Sequence, residues 1–503
     1  MKDDNIRAHW RCFMACGIMS LAFLEYGIDF GVIGGLQAMP GFLQVYGYRA
    51  KTSIGWNIST TRQQLIASLM TLGAFISSGT AGLVAAKLGR KACLWLACLL
   101  CVVSTVIMMT TETIGPLYVA RFLIGLANGY FLTFSQLYTQ ESSPAKYRGL
   151  FLTSFQFITS LGTLIGNIID WGTQGRPDKT AYLIPLGIVY LVPILMSVGL
   201  LFIPESPRWL ILQNRIEDSR KSLAWLRPNG RVIESEVAEI RNAIAIEREM
   251  GGNVGVLDMF KHPIDQRRTG LSVGAVSLRS ASGSMFIIAF KTYFLTMAKV
   301  SNPFAMSIII SIAGLIAIAL NAGIVVRYGR RRVLLMVGLI GCGCLQLIIA
   351  VVYDQNPDAV ETGRVLVALS CLYMMGYSGM VGTYAWVSGG EIPSQRLRSY
   401  TFGLASAIGF LGGWVITFTA PYFINPDSLN WGPRYGYIWF PSCVVGAIWV
   451  YFFLPETHSR TLEDIDEMFT AELSARRFRS YDCQGVAMRS KGDDIVVPQQ
   501  DEP

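Results

Sequence analysis

Two short charged patterns each occur twice in this 503-residue chain. Arg90 with Lys91, and Arg330 with Arg331, follow a glycine in the stretches GLVAAKLGRK and AGIVVRYGRR. Glu141 stands seven residues before Arg148, and Glu391 stands seven before Arg398. Opposite charges carried on rigid elements make partly desolvated salt bridges, which suit a gate that is locked when they meet and open when they part. Membrane topology alone would place basic residues in loops, but it leaves the repeated glutamates unaccounted for. Nothing comparable points to bond-making chemistry. The three histidines, His9, His262 and His458, complete no nucleophile triad, and no metal-ligand spacing or G-x-x-x-x-G-K-[ST] phosphate loop is present. The chain therefore reads as no enzyme, without metal or cofactor, whose work must draw on a gradient rather than on ATP.

Elements embedded in lipid must position these charges. The chain is 52% hydrophobic and 15% charged, against about 25% charged in ordinary soluble domains. Twelve apolar stretches, most of them near the roughly 20 residues that cross a bilayer core, run over about 11–36, 63–86, 92–110, 116–139, 149–170, 182–203, 269–295, 304–326, 333–353, 363–388, 399–422 and 436–454. The first is too long for a cleaved leader and carries Glu25 and Asp29, so it is expected to stay as a span. The net charge of +8 could suggest nucleic acid. Most lysines and arginines instead fall on alternate loops and on both termini, which puts those segments in the cytosol and excludes nucleic acid as partner. The ten cysteines lie mostly inside spans and read as packing residues.

Charge and hydropathy divide the chain into an N-terminal segment at 1–10, a six-span half at 11–203, a charged helical bridge at 204–268, a second half at 269–454 and a partly disordered tail at 455–503. The halves repeat: GLVAAKLGRK returns about 240 residues later, Glu141 as Glu391, and PESPRWL from Pro204 as PETHSRTL from Pro455. Two parallel halves place a solute site near the midplane and expose it alternately by rocking. An all-α membrane fold with twelve helices in two halves is the expectation, with the bilayer and a small solute as partners. One chain would suffice for transport. The sequon at Asn57, Ile58 and Ser59 falls in the first outer loop and is expected to be open to glycosylation.

At these motifs the chain resembles the sugar porter family of the major facilitator superfamily. The resemblance runs from residue 15 to 469 through YGIDFGVIGGL, the two GR[RK] turns, RFLIGLANG, YTQESSPAKYRG, PESPRWL, WVSGGEIPSQRLRS and PETHSRTLEDIDEMF, and is nearest to fungal members. It implies that Asp29 and Arg121 are the acid and base coupling protons to sugar, a pair that static burial would also explain. It implies that Gln156 contacts sugar hydroxyls and that Trp386 supports the ring; each could equally be a packing residue. Such a protein is a secondary active proton symporter of a monosaccharide or polyol, in the plasma membrane with both termini cytosolic.

The chain departs from this pattern in span 7. Where the family usually has a glutamine four residues before SG, this chain has Arg279, followed by Ser280, both candidate solute contacts, and Met285 replaces a frequent asparagine. Lys291 lies further along the same span. Charges inside a span are costly unless paired or functional. Two readings stay open: a pocket for a carboxylated, quinate-like solute or secondary metabolite, or an Arg279 that neutralises Glu25 or Asp29 with a Lys291 that snorkels outward. A nutrient receptor on the same fold is a third. Ala86 and Val326 replace the acid that usually precedes the basic turns, and Thr383 replaces a common proline.

Overall fold

A computed structural model describes residues 9–49, 55–176, 178–227, 233–250, 256–322, 330–357, 359–394, 397–458, 460, 462–478 and 481. Eleven helical segments among them are long and apolar enough to cross a membrane. The helix Ala145–Thr173, 29 residues long, packs among them and completes twelve. The spans are Trp10–Leu36, Thr60–Leu88, Arg90–Thr110, Ile114–Ser142, Ala145–Thr173 and Thr180–Phe202 in the first half. Those of the second are Pro263–Met297, Pro303–Leu320, Arg331–Gln355, Val360–Glu391, Arg398–Ile424 and Gly436–Phe453. They are numbered here 1 to 12. In the bridge, helices cover Pro207–Leu212, Ile216–Leu226 and Ile233–Met250, and Ile211, Leu223, Val237 and Ile244 form a small core of their own. Val326 of the second basic turn lies outside the described residues.

Small residues fix the closest packing. Spans 1 and 5 touch backbone to backbone: a Cβ on Gly27 would lie 2.1 Å from the Thr159 carbonyl oxygen, and one on Gly31 2.6 Å from that of Thr163. Close glycine contacts replace the missing hydrophobic drive between helices in lipid. Spans 2 and 4 meet likewise at Gly125, where a Cβ would stand 2.2 Å from the Met70 carbonyl oxygen. Spans 2 and 11, and spans 5 and 8, join the two halves.

Three spans are broken where polar groups must be aimed. Span 7 stops at Ala281 and restarts at Ser284, with Gly283 at φ +75° against the Trp439 ring. Ser282 and Ser284 hydroxyls donate to the Arg279 carbonyl at 2.7 and 2.8 Å, replacing helical partners lost at the break. Span 10 opens into a π turn at Tyr377–Val381, the kind of local widening that aims side chains at functional sites. Span 6 is interrupted at Tyr190, before Pro193, which can neither donate nor continue the preceding turn.

Candidate functional site

At the end of the bundle where span 1 begins and span 12 ends, the doubled charge motifs build two matching clusters. Arg90 grips Glu141 with two nitrogens, Nε at 3.0 Å and Nη2 at 2.8 Å. Glu205 accepts the backbone N–H groups of Arg90 at 3.2 Å, of Lys91 at 3.0 Å and of Ser206 at 2.8 Å, so it caps the N-terminus of span 3. Ser206 donates its hydroxyl to Glu141. Gly89 is held at φ +87° and faces the Glu205 carboxylate, which a Cβ there would approach to 2.7 Å. In the second half Arg331 pairs with Glu391, Glu456 accepts from the N–H groups of Arg331 and Arg332 at 3.2 Å each, and Thr457 donates to Glu391 at 3.0 Å.

Each ion pair lies within one half, joining neighbouring helices rather than bridging the halves, which corrects the picture of charges meeting across an opening. The Lys91 ammonium forms no ion pair among the described residues; its Nζ donates to the Ile203 carbonyl at 2.9 Å, at the end of span 6. Arg330 is exposed and makes no ion pair among the described residues. Arg398 starts span 11, half-buried, and the side chain of Arg148 lies outside what is described. Burial raises the Glu205 carboxyl above its ordinary value, against the opposing pull of the backbone donors and Arg90. Glu205 and Glu456, with Ser206 and Thr457, carry half of each cluster without having been singled out as sites. Their repeat inside the PES and PET motifs was the available signal.

Near the middle of the bundle, Asp29 of span 1 and Arg121 of span 4 form a fully enclosed pair at 2.8 Å. Arg121 also donates Nε to the Ile66 carbonyl at 3.0 Å, and Asn128 reaches Asp29 at 3.5 Å. The residues flanking Asp29 on its helix, Tyr26 and Phe30, face a cavity between the halves. Gln156, Thr159, Arg279, Lys291, Ser311 and Tyr377 are among its other walls. Gln156 Oε1 and Thr159 Oγ1 have no hydrogen-bond partner among the described residues. The cavity leaves about 50 Å³ for solvent, room for a few water molecules at roughly 10–15 Å³ each.

Other expected contacts fall elsewhere. Ser280 lies outside the cavity, with its hydroxyl donated to the Gly409 carbonyl of span 11 at 3.2 Å. Trp386 stacks on Phe155 across the halves at 5.6 Å and 24°, with the Arg279 guanidinium 5.4 Å from its ring. Arg279 neutralises neither Glu25 nor Asp29; its Nε donates to the Tyr377 hydroxyl at 3.4 Å. Glu25 instead accepts from the Cys101 thiol at 3.3 Å. Lys291 does not snorkel: it is 3% exposed, and its Nζ donates to Ser311 at 2.5 Å, within electrostatic reach of the buried Asp170.

The end opposite the charge clusters is sealed between the halves. Asn57 is 2% exposed, which corrects the expectation of an accessible sequon. Its side chain donates to Tyr48 and Asn425, both at 3.3 Å, and accepts from Tyr293 at 3.0 Å. Asn425 donates in turn to the Ile58 carbonyl at 2.8 Å and to Gln63 at 3.0 Å. Tyr48 with Asp427, Thr60 with Ser428, and Thr71 with Thr417 extend the contact.

Residues 15–469 match the family described as "Sugar (and other) transporter". The chain is 28% identical over 500 residues to the major facilitator-type transporter ecdD of Aspergillus rugulosus, covering 96% of this chain and 92% of that protein. It is 26% identical over 473 residues to the low-affinity glucose transporter HXT3 of Saccharomyces cerevisiae, covering 91% and 82%. It is also similar to the high glucose sensor RGT2 of that yeast, at 28% identity over 88% of this chain and 59% of the sensor. Among solved structures it shares its fold with the proton:xylose symporter XylE bound to 6-bromo-6-deoxy-D-glucose, at TM-score 0.71 and 19% identity over 91% of this chain and 99% of XylE. The inward-open form of XylE from E. coli matches with TM-score 0.72 over the same shares, again at 19% identity.

Proposed function

Since the chain belongs to the sugar (and other) transporter family, we propose that it is a secondary active carrier coupling proton movement to transport of a monosaccharide or related polyol. The enclosed Asp29–Arg121 pair, set directly behind the cavity wall, carries this reading. Arginine keeps its proton in a protein, so we assign the coupled proton to the Asp29 carboxylate. Protonation cancels its charge and weakens its hold on Arg121, freeing span 1 to shift against spans 2 and 4. The unmet acceptor of Gln156 and the free hydroxyl of Thr159 supply partners for solute hydroxyls.

A cavity this contracted, below a sealed end, corresponds to one station of an alternating cycle, and a solute enters when the halves rock apart. The charge clusters fix the helices of each half so that it moves as a rigid body. The distribution of Lys and Arg supports a cytosolic placement of both chain ends and the bridge, and we place the carrier in the plasma membrane.

The test is uptake of labelled glucose and of a panel of labelled polyols into cells lacking their own carriers, at pH 5 and pH 7.5. Wild type is expected to transport faster at pH 5, and Asp29→Asn to lose that dependence along with at least tenfold of its uptake at pH 5. Equal pH-insensitive uptake by wild type and Asp29→Asn, with matched surface expression, would make the protein a facilitator.

A further inference from the structure

Among the described residues, one cation in the cavity wall, Arg279, has no carboxylate beside it. Arg121 has Asp29, and Lys291 has Ser311 with Asp170 in electrostatic reach. Among the described residues Arg279 has the Tyr377 hydroxyl and the Trp386 ring face, and the titratable groups acting on it are the phenols of Tyr377 and Tyr26. No carboxylate lies within ion-pair distance among the described residues, and neither of its terminal nitrogens makes a hydrogen bond there. A guanidinium stays charged under these conditions. An unmatched charge enclosed by a membrane bundle is costly, and such residues mark the path of what the protein carries.

We infer that the counter-charge arrives with the solute: the cavity takes a polyhydroxylated monocarboxylate, whose carboxylate is gripped by the two free nitrogens of Arg279. This rests on the carrier reading above and narrows its substrate. The guanidinium fork matches a carboxylate in two parallel hydrogen bonds. One unmatched positive charge calls for one negative charge, which a carboxylate brings, whereas a phosphate monoester brings about −1.5 to −2. Gln156 and Thr159 face the hydroxyls, and Tyr26 and Phe30 give apolar surface to a ring. The glycine at the span 7 break is part of the device, because the helix ends there and the Ser282 and Ser284 hydroxyls hold the Arg279 backbone in place. Symport of one proton with such an anion moves no net charge.

Binding to purified, monodisperse full-length protein at pH 6.5 tests this with matched probes that differ in the carboxylate: D-glucuronate against D-glucose, and quinate against its methyl ester. At least one acid is expected to bind wild type roughly 10–100-fold tighter than its neutral partner, the span expected of a charge-assisted pair. Arg279→Gln should abolish that preference while still binding the neutral partner, and Arg279→Lys should keep part of it, which shows that the fold survives. Tighter binding of the neutral partner in both pairs would overturn the carboxylate assignment and leave the polyol reading intact. An acid preference unchanged in Arg279→Gln would overturn the role of Arg279. Binding of no probe by well-folded protein would overturn both readings.

Discussion

Glu141 is held from three sides, by two nitrogens of Arg90 and by Ser206. Removing one partner of such a pair leaves the other charge stranded, which costs more than removing both. Glu141→Gln is therefore expected to lower stability by about 2–3 kcal/mol, and Arg90→Gln combined with Glu141→Gln by less than the single change. Thermal melting of the purified variants checks this ordering. At this scale the sequence revealed which charges matter but not how they pair. The seven-residue spacing of Glu141 and Arg148 did not show which base Glu141 would meet. The arginine that Glu141 meets is 51 residues away, beside a turn that only glycine at φ +87° can make. Ser280 was misjudged for a related reason. It is adjacent to Arg279 in sequence, but one helical step turns a side chain by about 100°, and that step points it at span 11.

Helices and their junctions account for most of what was legible. Apolar length located the spans, since a helix that satisfies its own backbone hydrogen bonds needs about 20 apolar residues to cross a bilayer core. The breaks in spans 6 and 7 form at residues that mark them, Pro193 and Gly283, but nothing local marks the π turn of span 10. The contact of spans 1 and 5 gives a direct test. Gly27→Val places atoms against the Thr159 carbonyl and the Gly162 Cα, neither of which can yield without moving a helix. It is expected to cost about 3 kcal/mol or more and to shrink the monodisperse peak on size-exclusion chromatography. Gly17→Val on the same helix, where a Cβ meets nothing within 4 Å, should leave that peak unchanged.

Across the whole molecule, the two halves meet through hydrogen bonds at one end and aromatic stacking of Phe155 on Trp386 nearer the other. Asn425 is the hub of the sealed end, with bonds to Asn57, Gln63 and the Ile58 carbonyl. Asn425→Ala removes these together, and a loss of about 1.4 kcal/mol already shifts an opening equilibrium tenfold. Spin labels at Thr60→Cys and Ser428→Cys are expected to show a larger share of long distances in that background. Contacts of this kind were illegible in the sequence, because their residues lie in different halves and nothing local marks them. The sequon at Asn57 pointed the other way, as a surface signal, since two of its partners, Tyr293 and Asn425, come 236 and 368 residues later.

That separation has a meaning in time. At about 5–20 residues per second, synthesis of the 368 residues from Asn57 to Asn425 occupies roughly 20–70 s. Until that interval ends the sequon lacks part of its cover, on the lumenal side if the chain ends are cytosolic. A glycan attached then could not be accommodated once the second half arrived, and would act as a wedge holding the entrance ajar. A finished carrier that closes must therefore be one whose Asn57 escaped the oligosaccharide-transferring machinery while its partner was still being made.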